Sequence, residues 1–238
     1  MSMNNKLLRP RASGFNPKSI SGLHAWYDAS DASTITQATG VSSWADKSGN
    51  GRTCSQATGA NQPTYVLAGQ NGRNVIDFPS ATYTMTTDGA VWALTSANTQ
   101  FWSFQFPDTA NNAGWYLYNS TVNKQRVLGL TTSTVQPLVI GNTNTGIFPV
   151  SRRWYILSIV WAGPSTSYRF NQSSGTTINP SATNSMGQTG QMYMCHSGSG
   201  TGLRGYIGEH ISYDSQLSSD KVTSINNYLA KKWGATIV

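Results

Sequence analysis

The sequence has 238 residues, 38% hydrophobic and 11% aromatic, which suits a folded domain with a sizeable core and excludes disorder. Charged residues make up only 11%, yet the formal charge is +7, so Ser, Thr, Asn, Gln and Gly must supply most of a neutral surface. No apolar run reaches transmembrane length, the N-terminus has no apolar signal-peptide core, and Cys54 and Cys195 belong to no CxxC or Cys/His cluster, so a membrane span, general export and structural zinc are not expected.

Residues 1–20 read as an extended basic arm. Pro10 and Pro17 break helix, and Lys6, Arg9, Arg11 and Lys18 all precede the first acid, Asp28. The four cations suit docking on an acidic partner surface. They are not interleaved with aromatics, which argues against nucleic acid. Residues 21–238 read as one β domain. Strand-like runs fall at 23–28, 64–67, 74–78, 100–106, 114–119, 125–130, 136–140, 153–161, 166–171, 191–195 and 204–213, separated by Gly, Asn, Ser, Thr and Pro. In 100–106, Trp102, Phe104 and Phe106 share one face. In 153–161 both faces are apolar, which predicts a central strand covered on both sides.

Residues 44–51, Trp-Ala-Asp-Lys-Ser-Gly-Asn-Gly, form a turn in which Asp46 and Ser48 can bond back to nearby backbone. After 213 the pattern changes. Val222, Ile225, Leu229 and Trp233 recur at helical spacing, with Ser218 as N-cap, Asp220 in the first turn, Lys231 and Lys232 in the last, and Gly234 as C-cap. The expected fold is all-β: a two-sheet antiparallel jelly-roll sandwich with one short C-terminal helix and an extended N-terminal arm.

The blocks Leu23-His-Ala-Trp-Tyr-Asp-Ala-Ser-Asp31, Val41-Ser-Ser-Trp-Ala-Asp-Lys-Ser-Gly-Asn-Gly51, Pro63-Thr-Tyr-Val66 and Val75-Ile-Asp-Phe78 resemble the opening of concanavalin A-like (laminin G-like) domains, of the kind found in phage virion proteins. Arg204-Gly-Tyr-Ile-Gly-Glu-His-Ile-Ser-Tyr-Asp214 and the helix ending at Gly234 resemble the close of such a domain. Pro79-Ser80 after Phe78, and Lys221 in the helix cap, depart from the usual pattern. The resemblance implies the sandwich and, taken with the basic arm, a non-enzymatic phage virion structural protein. On this reading the chain is a capsid decoration or cement protein made in the host cytoplasm. Its arm docks on the major capsid protein or another virion protein, and the chain forms a homo-oligomer, taken as a trimer. The alternative is a tail-associated or surface lectin-like adhesin that binds host glycans.

Candidate chemistry is sparse. Glucanases of this superfamily need paired carboxylates, whereas Glu209 is the sole glutamate and the nearest acid along its strand is Asp214. Glu209 shares a face with Ile207, Ile211 and Tyr213 by period 2, so it is expected to point inward and to fix backbone amides or an indole N–H. His24, His196 and His210 form no triad. No cofactor and no catalytic residue is expected. Asp46 and Asn50 are weak calcium candidates, outweighed by a turn-bracing role. Carbohydrate-binding candidates are Trp115, Tyr116 and Tyr118, with Asn142 and Asn144 in a following Asn/Thr/Gly loop.

Overall fold

A computed structural model describes residues 14–80, 82–87, 92–94, 97–106, 114–117, 125–129, 139–140, 143–145, 147, 152–162, 165–177, 188–190, 192–195 and 204–238. The two main sheets use β1 (Leu23–Asp28), β2 (Ile35–Gln37), β3 (Val41–Trp44), β4 (Cys54–Ser55), β5 (Thr64–Gln70), β6 (Arg73–Phe78), β7 (Met85–Thr87), β8 (Asn98–Gln105), β9 (Trp154–Trp161), β10 (Ser167–Phe170), β11 (Thr176–Thr177), β12 (Tyr193–Met194) and β13 (Gly205–Tyr213). Helix α1 (Ser219–Trp233) follows. Every recorded strand pairing is antiparallel. The larger sheet has eight strands in the order β11-β10-β9-β8-β13-β6-β5, with β1 also on β13; the smaller has five, β12-β7-β4-β3-β2. The chain is thus the two-sheet antiparallel sandwich with a C-terminal helix that its patterning predicts.

The larger sheet is covered on both faces because its central strands are apolar on both. Tyr155, Leu157, Ile159 and Trp161 of β9, with Trp102 and Phe104 of β8, face the smaller sheet and meet Val41, Trp44, Cys54, Met85 and Met194. Trp154 and Ile156 of β9, with Phe101 of β8, face the other way and pack under Val222, Ile225, Leu229 and Trp233 of α1. The two cysteines are free and buried, and burial pushes both thiols far up, out of the reactive range.

One strand departs from simple alternation. Ile207 belongs to the inter-sheet core, whereas Glu209, Ile211 and Tyr213 lie on the helix side, because the register of β13 against β8 shifts between Ile207 and Glu209. The expected shared face of Ile207 and Glu209 is therefore corrected: a bulge at Gly208 separates them. A Cβ on Gly208 would stand 2.8 Å from Ser103 Oγ and from two ring carbons of Trp233. Glycine lets the indole lie flat on the strand.

Helix α1 starts after Ser218, whose hydroxyl makes no cap bond, and is held mainly at its C-terminal end. Gly234 takes the left-handed conformation at its C-cap (φ 68°), and Ala235 N–H closes on Ala230 O. The β5–β6 hairpin supplies further donors to its last carbonyls: Gln70 Nε2 to Trp233 O at 2.6 Å, and Asn71 Nδ2 and Arg73 Nε each to Lys232 O at 3.0 Å. The later part of the expected arm is folded down here. Pro17 and Ile20 are buried, and Tyr213 Oη donates to Pro17 O at 3.0 Å.

Candidate functional site

Three Asp-x-Ser segments, Asp28–Ser30, Asp31–Ser33 and Asp46–Ser48, build the region where β1, the 44–51 turn and the end of α1 meet. In each the aspartate accepts both the amide N–H and the hydroxyl of the serine two residues on. Asp46 also accepts Trp26 N–H at 2.9 Å and Arg52 N–H at 3.1 Å, and Asn50 Nδ2 donates to Leu23 O and His24 O. As placed, the weak calcium candidates brace a turn against β1: the carboxylate accepts four donors, and the amide presents nitrogen. Among the described residues no group of three or more His, Cys, Asp or Glu is arranged to hold a metal.

The antiparallel register sets Asp28 directly opposite Glu209. The nearest acid to Glu209 is thus across the sheet on β1, and not Asp214, the nearest along its own strand. Lys232 Nζ lies 2.7 Å from both Asp28 Oδ1 and Glu209 Oε2. Lys47 continues the chain of charges, 3.0 Å from Asp28 and 2.7 Å from Asp31, with its ammonium 4.4 Å from the centre of the Trp26 ring. Glu209 is wholly buried and its acceptor sites are filled. Oε1 takes Trp26 Nε1–H at 2.7 Å and Tyr228 Oη–H at 2.8 Å, and Oε2 takes Trp233 Nε1–H at 3.0 Å besides Lys232. The expected indole partner is present twice over.

The same network moves the two carboxyls in opposite directions. Burial pushes Glu209 up and outweighs the neighbouring Lys232. Burial would also raise Asp28, but the Lys232 charge, hydrogen bonds from Lys232 and Ser30, and the Lys47 charge hold it below the usual carboxylate range. Both carboxyls are buried, with Glu209 wholly so and Asp28 lining the cleft beside α1.

Above Asp28 opens a cleft of about 640 Å³, within the range of small-ligand sites. Phe15 and Tyr228 form an aromatic wall, their ring centres 5.2 Å apart. Asp28, Ser30, Ser224, Asn227, Arg73 and Lys231 supply donors and acceptors around it. Lys232, expected only as a dipole partner at the helix end, is the hinge of the whole arrangement. Its position one residue before Trp233 and four after Tyr228 is the signal that could have found it.

The carbohydrate candidates of the sequence lie elsewhere. Trp115 and Tyr116 fall on the strand Gly114–Leu117, paired with Gln125–Gly129, and Asn144 on the two-residue strand Thr143–Asn144, paired with Val139–Ile140. Tyr118 and Asn142 lie outside the described residues, as do Lys6, Arg9 and Arg11 of the arm. Lys18 is exposed, on a short 3-10 turn (Pro17–Ser19) whose cap is Asn16.

No protein-family model and no curated protein matches the sequence. Solved structures do share the fold. Trypanosoma rangeli sialidase bound to the inhibitor DANA matches with a TM-score of 0.60 at 13% identity, over 91% of this chain and 34% of that one. A GH54 α-L-arabinofuranosidase matches at 0.57 and 14%, over 81% of this chain and 51% of that one. An arabinofuranosidase complexed with arabinofuranosyl-α-1,2-xylobiose matches at 0.54 and 15%. The chain therefore spans about a third to a half of the proteins it matches, and at this identity the likeness is one of fold. It nevertheless overturns two expectations. The non-enzymatic capsid-decoration role rested on a virion association of the fold, and the matches are to glycoside-acting enzymes instead. The expectation that the chain is no enzyme falls with it, since the fold is one that such enzymes carry.

Proposed function

We propose that this chain is a β-sandwich domain with a carbohydrate-active role, and that glycan is held in the cleft between residues 14–15, β1 and α1. The observation that carries the reading is the cleft's chemistry. An aromatic wall, Phe15 against Tyr228, stands beside an ionised carboxylate, two serines and an asparagine. A pyranose or furanose ring has an apolar C–H face that packs on an aromatic and hydroxyls that need such partners. Fold kinship with sialidase and arabinofuranosidase supports the same class of ligand, as does the resemblance of both chain ends to concanavalin A-like domains.

The test is a glycan panel containing sialosides and arabinosides, read for retention and for released sugar. Phe15→Ala and Asn227→Ala remove an aromatic and a polar contact, and Asn227 is exposed, so its loss leaves folding intact. Each is expected to weaken retention about tenfold, roughly 1.4 kcal/mol. A panel with no retained glycan, or retention unchanged in both variants, overturns the proposal.

A further inference from the structure

A second void, of about 240 Å³, opens at the opposite end of α1, between its first turn and strands β9 and β10. Its wall carries Arg169, which is only 8% exposed. The residue as a whole is buried, but its guanidinium is only part-buried and borders the void, where an arginine is commonly met by an anion. Here the recorded partners are neutral. Nη1 donates to Thr223 Oγ1 at 2.7 Å, and Nη2 donates to Ser219 Oγ at 2.8 Å and, more weakly, to Ser219 O at 3.4 Å. Among the described residues no acid forms an ion pair with it. A guanidinium has five N–H donors, so among the described residues the Nε–H and one Nη1 proton meet no protein acceptor.

Two features make the arrangement stranger as a closed structure and sensible as a site. Ser219 is the first residue of α1, so Arg169 sits at the positive end of a fifteen-residue helix, where a cation is disfavoured and an anion favoured. And Gly175 leaves space beside Nε: a Cβ there would meet Arg169 Nε at 3.8 Å and Ser167 Cβ at 3.8 Å, with nothing closer. Ser158, Ser167 and Ser219 line the void and can complete the shell of an oxyanion.

We propose that this cavity binds a small oxyanion, a carboxylate or sulfate of the kind carried by acidic sugars, on the Nε–H edge of Arg169. Its volume is below that of an ordinary small-ligand pocket, so it admits one charged group or one acidic monosaccharide. The site is separate from the Phe15–Tyr228 cleft and does not depend on it.

The experiment titrates the full chain with sodium glucuronate and with sodium sulfate, against sodium chloride at matched ionic strength, following the Arg169 Nε–H resonance by NMR and the Tm. A saturable shift of that resonance with a rise in Tm is expected for at least one anion, and which one responds identifies the group. Gly175→Leu fills the void without touching the guanidinium's recorded bonds, and should abolish both responses. Arg169→Met should abolish the rise in Tm. No saturable shift with either anion, or an undiminished shift in Gly175→Leu, overturns the proposal.

Discussion

Replacing Glu209 by Gln tests the central network, because the change keeps the side chain's size and removes only charge and one acceptor. Both carboxylate oxygens are occupied by two donors each, so the amide cannot serve all four. The least costly orientation keeps the oxygen toward Lys232 and Trp233 and turns the NH₂ toward Trp26 and Tyr228. Tyr228 can rotate its hydroxyl to accept, but Trp26 Nε1–H cannot, and a buried N–H without a partner costs about 1–3 kcal/mol. Lys232 then bonds a neutral oxygen in place of a charged one, worth roughly another 1–2 kcal/mol, with Asp28 left to hold the ammonium. Against this, the amide is easier to bury than a carboxylate whose pKa burial has already raised. The expected net loss is about 2–4 kcal/mol.

Equilibrium unfolding in urea reads this loss, followed by indole fluorescence and by far-UV circular dichroism. The midpoint should fall with no change in slope, since the unfolded state is untouched. Trp26 and Trp233 both contact the mutated group, so the native emission should also shift. A change below about 0.5 kcal/mol, or a gain, would refute the reasoning: it would mean that the network does not help to hold α1 to the sheet.

Three further outcomes follow from the same structure. Gly208→Ala should lose about 1–3 kcal/mol by forcing a methyl against the Trp233 ring, and a wild-type Tm would show that the indole does not lie on the strand. Asp46→Ala removes the acceptor for Trp26 N–H, Ser48 N–H and hydroxyl, and Arg52 N–H, and should cost about 2–3 kcal/mol; added calcium should leave the wild-type Tm unchanged, whereas a saturable rise would restore the metal reading. Burial lowers His24 to about 4, aided by Arg52, and His210 to about 3, so both stay neutral when folded. The unfolded chain binds protons at these sites below its ordinary histidine pKa, so stability falls as pH drops from about 6.5. The loss is about 2 kcal/mol per histidine by pH 5. Asp77, raised to about 6 by burial, works the other way and returns roughly 1 kcal/mol over that range. Glu209, also raised by burial, acts in the same direction as Asp77, so the histidines are read by difference: a pH dependence of Tm between pH 7 and 5 that is unchanged in His24→Gln would contradict the neutral burial of that histidine.

What the sequence showed depended on segment length. The long strands of the larger sheet announce themselves: eight residues of β9 carry enough alternation to assign each side chain to a face, and those assignments match the two cores. Most of the smaller sheet left no such trace, because β2, β3, β4 and β7 are two to four residues long, too short for a period of two to stand out from chance. The helix was readable in its extent and in its Gly234 C-cap, while Ser218 stands at the N-cap position without a side-chain bond. The inward position of Glu209 was readable too, but its mate was not. A bulge at Gly208 and a cross-sheet register decide which acid faces it, and neither is a local property of the chain.

The site was legible only in pieces for the same reason. Each Asp-x-Ser segment is a local signal and predicts its own turn, as the reading of 44–51 did. What turns three such segments into a site is the convergence of Asp28, Lys47 and Lys232, which are distant in sequence and meet because α1 crosses the outer face of the larger sheet. A lysine in a helix's last turn reads as a surface charge on the dipole, and here it is drawn inward by two carboxylates that only the fold puts together. A fold resemblance carries still less about function, since one fold can host many activities. What bears on function is the lining of the cleft, and the proposal that it holds a sugar ring rests on the aromatic pair Phe15 and Tyr228 beside Asp28, Ser30 and Asn227.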